Sequence, residues 1–592
     1  MIEPRIYRAA FVPAVLAVVL VMFSLESSPR PLPQGLAADV LFDGRQASAA
    51  ARQIVVAARD RRSGSVGNRA LAARVRGTLS ARGFAVEVDR FERDGKTLVN
   101  VIGRRAGKSR RQIVVLAARD ARGVPDAAGS AADTAALLEL SRVFEGRPSR
   151  KTLVLASVDG STLGHVGARR LAGSLDSSDL VDGVLVLSDL GVRSKEAPTI
   201  ASWSNDVTRA GIGLQRTVAE SLRQELSPPA AGASPAGQVA RLAFPIGIGA
   251  QGPLLEAGYD AVRIAGDGEL GNSESAEPAE VDEDRLGGLG RATLRTVTAL
   301  DQRARPPARG PRTYITAVTQ VVPGVVLTLL GLALILPALV ASVDALARAR
   351  RRRRAVTPWL MWLGAGTLAF AIGLALAYLL ALAGATPDPP AAPVAPGLYP
   401  LDTEGYAVLG VLVVAVALAW IGLRSLATRA ESALGDPSEP AAAVAVALVL
   451  SVATLAMWAV NPYSALILVP ALHLWILATL VDPVPARRTR LLMVAAGLLL
   501  PALLVTYALI RLHLDPLSGA WYLYLLVTGG HVSVVSSLLG CVLAAALGSV
   551  FAIASARHPE VEGETGEPPS VRGPGSYAGP GSLGGTSSAL RR

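Results

Sequence analysis

Eight long apolar runs constrain the fold of this 592-residue chain more than any other feature. A helix that crosses a bilayer needs roughly 17–25 predominantly apolar residues. The first run stands alone near the N-terminus, and the other seven cluster in the second half of the chain. Because hydrophobic residues make up 51% of the sequence, the pattern predicts a membrane protein with an all-α transmembrane bundle and about eight spans in total. The runs occupy residues 9–25, 315–343, 358–385, 406–423, 441–460, 464–481, 491–510 and 522–554.

Arginines lie at alternate ends of these runs. Arg5 and Arg8 precede the first run, and further groups follow the second, fourth and sixth runs, at residues 348–354, 424–429 and 487–490. Short cytoplasmic loops are enriched in Lys and Arg, so we predict cytoplasmic termini and an extracytoplasmic segment, residues 27–314, in the cell membrane. The first run also resembles a signal peptide, but the absence of a clear small-x-small cleavage site after it favours an uncleaved anchor.

The net charge of +11 has a topological explanation. Much of the excess lies at predicted cytoplasmic loop ends, so no nucleic-acid partner is needed to account for it. The cluster at residues 348–354 also suits contact with anionic membrane lipid. The one cysteine, Cys541, lies in the last run and excludes an intrachain disulfide. Four lysines against more than fifty arginines are typical of a high-GC bacterial genome.

Proline-bearing segments divide the chain into domains. Residues 29–33 and the RARPPARGPR segment at 303–312 bracket a unit large enough to bury its own core. The tail, rich in Gly, Pro, Ser and Glu, lacks the apolar content for a core and is predicted to be disordered. The predicted division is an anchor at 1–26, a linker at 27–47, an outer domain at 48–302, a linker at 303–314, a seven-span domain at 315–556 and a cytoplasmic tail at 557–592.

Helical and strand-like patterns alternate in the outer domain. Residues 48–60, 68–82 and 131–144 have helical spacing, residues 85–91 alternate like a strand, and the short runs at 112–117, 152–157 and 183–188 are typical of strands buried on both faces. This order predicts an α/β domain with a mostly parallel central sheet covered by helices. Ligands of such sheets bind at the carboxyl ends of the strands, which directs attention to Asp120, Asp159 and Asp189.

Three segments at these strand ends resemble motifs of the M28 family of zinc aminopeptidases. They are AARD at residues 117–120, DAAGSAADTAALLEL at 126–140 and VDGSTLGHVGARRLA at 158–172. The resemblance covers about residues 48–300 and implies an M28 peptidase-like fold. Position by position, it implies that the family's metal ligands and general base are replaced at most positions. The first histidine falls on Ala118, the bridging aspartate on Gly129, the glutamate pair on Ser161 and Thr162, and the final histidine on Gln251, while Asp189 retains a metal ligand and Asp120 a carboxylate behind the site.

The composition of the outer segment agrees with that implication. Between residues 27 and 312 the chain has one histidine, His165, and no cysteine. Zinc hydrolysis needs three or more N, O or S ligands and a base for the bound water. A register slip would bring Asp126 or Asp133 into the bridging position, but it supplies no imidazole and no base. We therefore predict a non-catalytic binding or scaffolding protein without a cofactor. The alternative is an active M28-like metallopeptidase that uses zinc.

The membrane half offers fewer signals. His473 and His531 lie in predicted spans, where each either lines a substrate path or is hydrogen-bonded between helices or near the interface. One anchor, an outer M28-like domain and a helical bundle also resemble the overall plan of the attachment subunit of the eukaryotic GPI transamidase. That resemblance implies a peptide, glycan or protein ligand at the outer domain and membership of a membrane protein complex. A further alternative is a transporter-like bundle with an accessory outer domain.

Overall fold

The computed structural model describes residues 3–33, 41–121, 123–226, 228–230, 232–271, 280–317, 319–430 and 439–556. The tail at 557–592, predicted to be disordered, lies outside the described residues, as does part of the first predicted linker.

A mixed seven-stranded sheet forms the centre of the outer domain, in the order β2-β3-β5-β4-β6-β8-β7. The pairs β5–β4, β4–β6 and β6–β8 are parallel, while β2–β3, β3–β5 and β7–β8 are antiparallel. The prediction of a mostly parallel sheet is therefore right for the centre and wrong for the edges. A two-residue turn, Asp94 and Gly95, both at positive φ, joins β2 directly to β3 and makes that pair a hairpin. The strands are β2 Ala85–Arg93, β3 Lys96–Arg105, β4 Ser109–Ala118, β5 Lys151–Val158, β6 Val181–Ser188, β7 Thr199–Ala201 and β8 Ala261–Ala265.

Helices flank the sheet, and together they bury one continuous apolar core. Central strand residues such as Val114, Val154 and Leu185 are completely buried. The helices begin two to four residues before their predicted starts where side chains cap them: Asp43 and Ser65 accept from the first free backbone N–H groups. The outer-domain helices are Gly44–Ala57, Val66–Ala81, Ala132–Val143, Val166–Ala172, Ile212–Glu225, Pro235–Ala243, Gln251–Glu256 and Glu283–Gln302.

Among the described residues, eight helical segments are long and apolar enough to cross a membrane. This confirms the number of spans predicted from the apolar runs. Numbered in chain order, spans 1 to 8 are Pro4–Phe23, Gly324–Arg351, Thr357–Leu382, Thr403–Thr428, Pro440–Val460, Pro462–Leu480, Arg487–Arg511 and Val534–Ser555.

Two of the predicted runs begin differently from the prediction. Residues 315–317 and 319–323 are not helical: β9 Tyr314–Ala317 and β10 Gln320–Pro323 pair with each other, and β10 pairs with β1 Glu26–Ser27. Hydropathy alone does not separate such a β-branched apolar stretch from a helix. The last run contains two helices, Pro516–Thr528 and span 8, separated by residues 529–533, which begin with Gly529 and Gly530.

The outer domain rests on one end of the bundle. The backbone N–H of Ala391, between spans 3 and 4, donates to Leu163 O, and Asn461, between spans 5 and 6, donates to Leu242 O. Arg511 at the end of span 7 pairs with Glu269. Since the chain crosses the bundle between successive loops, the arginine-rich segments after spans 2, 4 and 6 lie at the opposite end.

His473 and His531 are both hydrogen-bonded, as the structural alternative for them predicts. His473 donates from Nε2 to Leu334 O (2.9 Å), so its Nδ1 accepts from the Tyr7 hydroxyl (2.6 Å) and ties span 1 to spans 2 and 6. His531 was predicted inside the last span, which is wrong: it lies in the turn before span 8 and donates to Pro390 O (2.8 Å).

Candidate functional site

A cavity of about 330 Å³ opens at the carboxyl ends of β4 and β6, the predicted edge of the sheet. Ala118, Asp120, Ser161, Thr162 and Asp189 all line it. Residues 394–398, from the loop between spans 3 and 4, form part of the opposite wall. The membrane half therefore helps to enclose the cavity that the outer domain builds.

The two remaining predicted positions lie directly behind the wall. Gln251 is completely buried next to the lining residues Gly249 and Ala250. Gly129 is buried, and a Cβ atom built on it would lie 2.3 Å from Asp126 Oδ1. The carboxylate of Asp126 thus occupies the space that a side chain at position 129 would need. All seven positions converge on one place in the fold.

Asp120 accepts several hydrogen bonds from the turn after β5. Its Oδ1 accepts from the backbone N–H of Ser161 (3.0 Å), and its Oδ2 accepts from the Thr162 N–H (3.2 Å) and from the hydroxyls of Ser161 (3.0 Å) and Ser63 (2.7 Å). Its carboxylate therefore holds this turn in place. The Ser161 hydroxyl is donated to Asp120 in this arrangement.

Asp126 reaches the cavity from a single π-helical turn, Ala127–Ala131, that precedes the helix Ala132–Val143. Asp126 has φ 46°, and its Oδ2 accepts from the N–H (2.9 Å) and the hydroxyl (2.6 Å) of Ser130. Burial raises the pKa of Asp126 to about 6, and the nearby charge of Asp189 adds to the rise. The completely buried Arg61 donates to Pro125 O (2.7 Å) and Asp126 O (3.0 Å) and so fixes the turn.

Asp133 and Asp189 form a pair of neighbouring carboxylates on the cavity wall. Both oxygens of Asp133 accept backbone hydrogen bonds, from the N–H of Asp189 (3.0 Å) and of Leu190 (2.9 Å). Asp189 has φ 58° and accepts from the Ser188 hydroxyl (2.6 Å). Burial and then the charge of Asp189 raise the pKa of Asp133 well above its usual range. Asp133 thus positions the loop that carries Asp189.

Arg263 lies behind this pair and is largely buried. Its Nη1 is 3.3 Å from the Ser188 hydroxyl, and its Nε has no partner among the described residues. Gln251 Nε2 donates to Ile248 O (2.9 Å), whereas its Oε1 also lacks a partner there. Burial lowers the pKa of Arg263, while Glu269, Asp189 and Asp133 counter that effect.

Two buried arginines of the site were missed by the sequence reasoning. Arg119, in the AARD motif, donates to Asn68 Oδ1 (2.8 Å) and to the Ser157 carbonyl (3.0 Å) and lies 3.7 Å from Asp159. Burial and the neighbouring Asp120 raise the pKa of Asp159 to about 6. Arg61 lies in the loop after the helix Gly44–Ala57. The signal available for Arg119 was an arginine at a strand end, between Ala118 and Asp120. The wall at residues 394–398 had no signal in the sequence.

The side chains that the described residues place at the cavity match the donor preferences of zinc poorly. Within the described ranges, no group of three or more His, Cys, Asp or Glu side chains is placed to hold a metal ion. His165 is the one imidazole on the cavity wall, and it has φ 54° at the start of the helix Val166–Ala172. A carboxylate set with one imidazole lacks the nitrogen and sulfur donors that zinc favours.

Three comparisons with known proteins bear on the chain, and the solved structures that match it cover slightly less than half of its length. No family model matches the chain. No curated protein matches it either. Solved structures similar to it include a glutaminyl cyclase from an Acidobacteriales bacterium (17% identity, 47% of this chain and 100% of that one, TM-score 0.36) and a zinc aminopeptidase from Bacillus subtilis (14% identity, 47% and 98%, TM-score 0.36). A leucine aminopeptidase precursor from Bacteroides thetaiotaomicron is similar at 14% identity, 45% and 98% coverage and a TM-score of 0.35. Identities and scores this low carry nothing about activity, substrate or metal.

Proposed function

We propose that this multi-pass membrane protein uses its outer α/β domain to bind a ligand without hydrolysing it. The observation that carries the proposal is the chemistry of the cavity wall. Where the M28-like reading places a metal ligand and the general base, the wall carries the methyl group of Ala118 and a Ser161 hydroxyl that donates to Asp120. A hydrolase needs a base within hydrogen-bond reach of its water, and neither residue is one.

The ligand we propose carries a cationic amine, as the free N-terminus of a peptide does. The cavity lining has four aspartates and one arginine, so carboxylates outnumber guanidinium groups there. They are Asp120, Asp126, Asp133, Asp189 and Arg263. Asp126 and Asp133 have raised pKa values because burial and neighbouring carboxylates disfavour their charged forms. A bound ammonium group relieves that repulsion and is favoured for the same reason.

The surroundings of the cavity support a ligand longer than one residue. A second cavity of about 300 Å³ shares Leu270, Gly271 and Ala395 with the first. It runs beside the helix Pro516–Thr528 and is lined by Tyr399 and Trp521 among others. A peptide that places its amine among the aspartates therefore has an apolar, aromatic surface for its following residues.

We also propose that the domain faces outward and that both termini are cytoplasmic. The support is the separation of charge along the bundle: the arginine-rich segments at 348–354 and 487–490 lie at the end away from the outer domain, as the positive-inside rule requires. We further propose that the protein belongs to a membrane protein complex, as its resemblance in overall plan to the attachment subunit of the GPI transamidase implies.

The test compares binding and turnover in the purified full chain in detergent. We expect a short peptide with a free N-terminus to bind intact, and its N-acetylated form to bind at least about tenfold more weakly because the ammonium charge is lost. Asp126→Asn should weaken binding of the free peptide, while Asp179→Asn, exposed before the start of β6, is the matched control.

Cleavage of the peptide would overturn the proposal. If cleavage stops on chelation and in Asp189→Ala, the protein is the metallopeptidase of the alternative reading. Equal binding of the free and acetylated peptides would refute the amine as the recognised group.

A further inference from the structure

A third cavity, of about 530 Å³, lies at the base of the outer domain, away from the strand ends. We call it the basic cavity and define it by Trp203, Arg209, Arg216, Gln238, Arg241 and Tyr314, which line it. No residue of the basic cavity belongs to the site described above. It offers the opposite charge.

Arg209 is the central group of the basic cavity and is 7% exposed. Its guanidinium lies between two rings, 4.0 Å from the Trp203 centroid and 4.2 Å from the Tyr314 centroid. Nη1 donates to Gln238 Oε1 (2.8 Å) and Tyr314 O (2.7 Å), but Nε has no partner among the described residues. Two aromatic faces and two neutral acceptors hold this cation in one orientation.

No carboxylate of the described chain neutralises Arg209. No ion pair within 4.0 Å joins Arg209 to a described carboxylate, since Glu269 pairs with Arg241 and Arg511. The groups that act on the charge of Arg209 are Tyr314, Arg241 and Tyr463. Burial lowers the pKa of Arg209, and Arg241 lowers it further. A buried cation without a counter-ion is costly unless an anion accompanies it.

Arg241 presents a second unused donor. Its Nη2 pairs with Glu269 Oε2 (2.7 Å) and its Nε donates to the Tyr507 hydroxyl (3.2 Å), while Nη1 is buried without a partner in the described residues. Glu269 is already shared with Arg511 (2.8 Å). Arg241 and Arg511 thus share the carboxylate of Glu269, which also lines the basic cavity. With Arg209 counted, three positive charges less one negative charge leave a net charge of +2.

The basic cavity lies where the outer domain meets the membrane. Ser28, which lines it, follows span 1 by five residues, and Thr316 precedes span 2 by eight. The helix Pro235–Ala243, which carries Arg241, receives a hydrogen bond at Ala243 O from Ser464 at the start of span 6 (2.6 Å). In a bilayer that spans 1, 2 and 6 cross, a cavity this close to their ends lies near the headgroups.

We propose that the basic cavity binds a phosphate group, held by Arg209 and Arg241 with Arg216 at its rim. Planar guanidinium groups with free N–H donors match phosphate oxygens in geometry and charge. The phosphate comes either from a phospholipid headgroup or from a soluble phosphate compound. The proposal is independent of the ligand and of the chemistry at the strand ends.

The experiment uses the full chain purified in a non-ionic detergent. In one arm, inorganic phosphate is titrated at constant ionic strength and the thermal unfolding midpoint is followed, because a ligand of the native state raises it. In the other arm, the protein is reconstituted with phosphatidylglycerol or phosphatidylcholine, re-extracted, and its retained lipid is counted by native mass spectrometry.

The variants are Arg209→Lys, which keeps the charge but loses the planar fork, and Arg216→Gln, a half-buried position outside the ring stack. Arg93→Gln, in the hairpin far from the basic cavity, is the control. We expect the wild type and the control to bind phosphate or to retain about one phospholipid, and both variants to bind about tenfold more weakly.

A raised midpoint with inorganic phosphate identifies a soluble source, and retained lipid without that shift identifies a headgroup. A wild type that shows neither effect overturns the proposal. Binding that persists at full strength in both Arg209→Lys and Arg216→Gln also overturns it, because the site would then lie elsewhere.

Discussion

Replacing Glu269 with glutamine should loosen the outer domain from the transmembrane bundle. Glu269 is 11% exposed and accepts from Arg241 (2.7 Å), in the outer domain, and from Arg511 (2.8 Å), at the end of span 7. Arg511 also donates to Ile246 O (2.8 Å). Glu269→Gln keeps the shape of the side chain but leaves two largely buried guanidinium groups without their counter-ion.

The pKa of Glu269 gives the size of the effect. Arg511 and Arg241 outweigh the effect of burial and lower this pKa from 4.5 to about 2. At about 1.36 kcal/mol per pKa unit, the charged form is stabilised by about 3 kcal/mol, and breaking a buried ion pair costs about 3–5 kcal/mol. Because the pKa is depressed in the folded state, this stabilisation is complete above pH 4.5 and is lost as the pH falls towards 2.

Hydrogen exchange followed by mass spectrometry measures the result at residues 508–514, where span 7 ends. Local opening that is easier by about 3 kcal/mol should lower protection there by about a hundredfold. Arg511→Gln should have a similar effect, and the double variant should be less destabilised than the sum of the two.

Arg93→Gln is the matched control, since its ion pair with Asp94 (3.0 Å) is about half exposed and should contribute less than about 1 kcal/mol. Protection within twofold of the wild type in Glu269→Gln would refute the reasoning, as would strict additivity of the two single variants.

Three further results are expected. The pKa of Asp126 is raised to about 6, so the folded state holds more protons than the unfolded state between about pH 4 and 6. The thermal midpoint should therefore fall as the pH rises through that range. Asp126→Asn should flatten this slope, and an unchanged slope would contradict the assignment. Asp120→Ala removes the acceptor for several donors and should destabilise the outer domain by about 3 kcal/mol in denaturant titrations; a loss below about 1 kcal/mol would count against that role. In a Cys541→Ala background, Asp94→Cys should react with an impermeant maleimide in intact cells and Arg353→Cys only after permeabilisation; the reverse labelling would invert the topology.

Periodicity and hydropathy predicted the elements that are decided locally. The buried runs at 112–117, 152–157 and 183–188 are strands because their apolar residues face helices on both sides, and each of the eight apolar runs overlaps one span. The predicted boundaries of the spans were wrong where a local feature outweighed hydropathy. The glycine pair at 529–530 follows the end of one helix, and β9 and β10 form strands that pair with each other and, through β10, with β1.

The candidate site was predictable only in part, because it depends on contacts between distant segments. The strand ends located Asp120 and Asp189, and the motif spacing located Ala118, Ser161 and Thr162 on the same wall. Neither indicated that Asp126 fills the space beside Gly129, since that depends on the positive φ of Asp126 and on one π-helical turn. The wall at residues 394–398 arises from docking of the two halves.

The zinc content of the purified full chain tests the central claim most directly. After incubation with excess zinc and gel filtration, elemental analysis should find far less than one equivalent, with no aminopeptidase turnover and no change in Asp189→Ala, because the cavity offers one imidazole and no group of ligands placed around an ion. One equivalent or more of tightly held zinc, lost in Asp189→Ala and accompanied by turnover, would contradict the account.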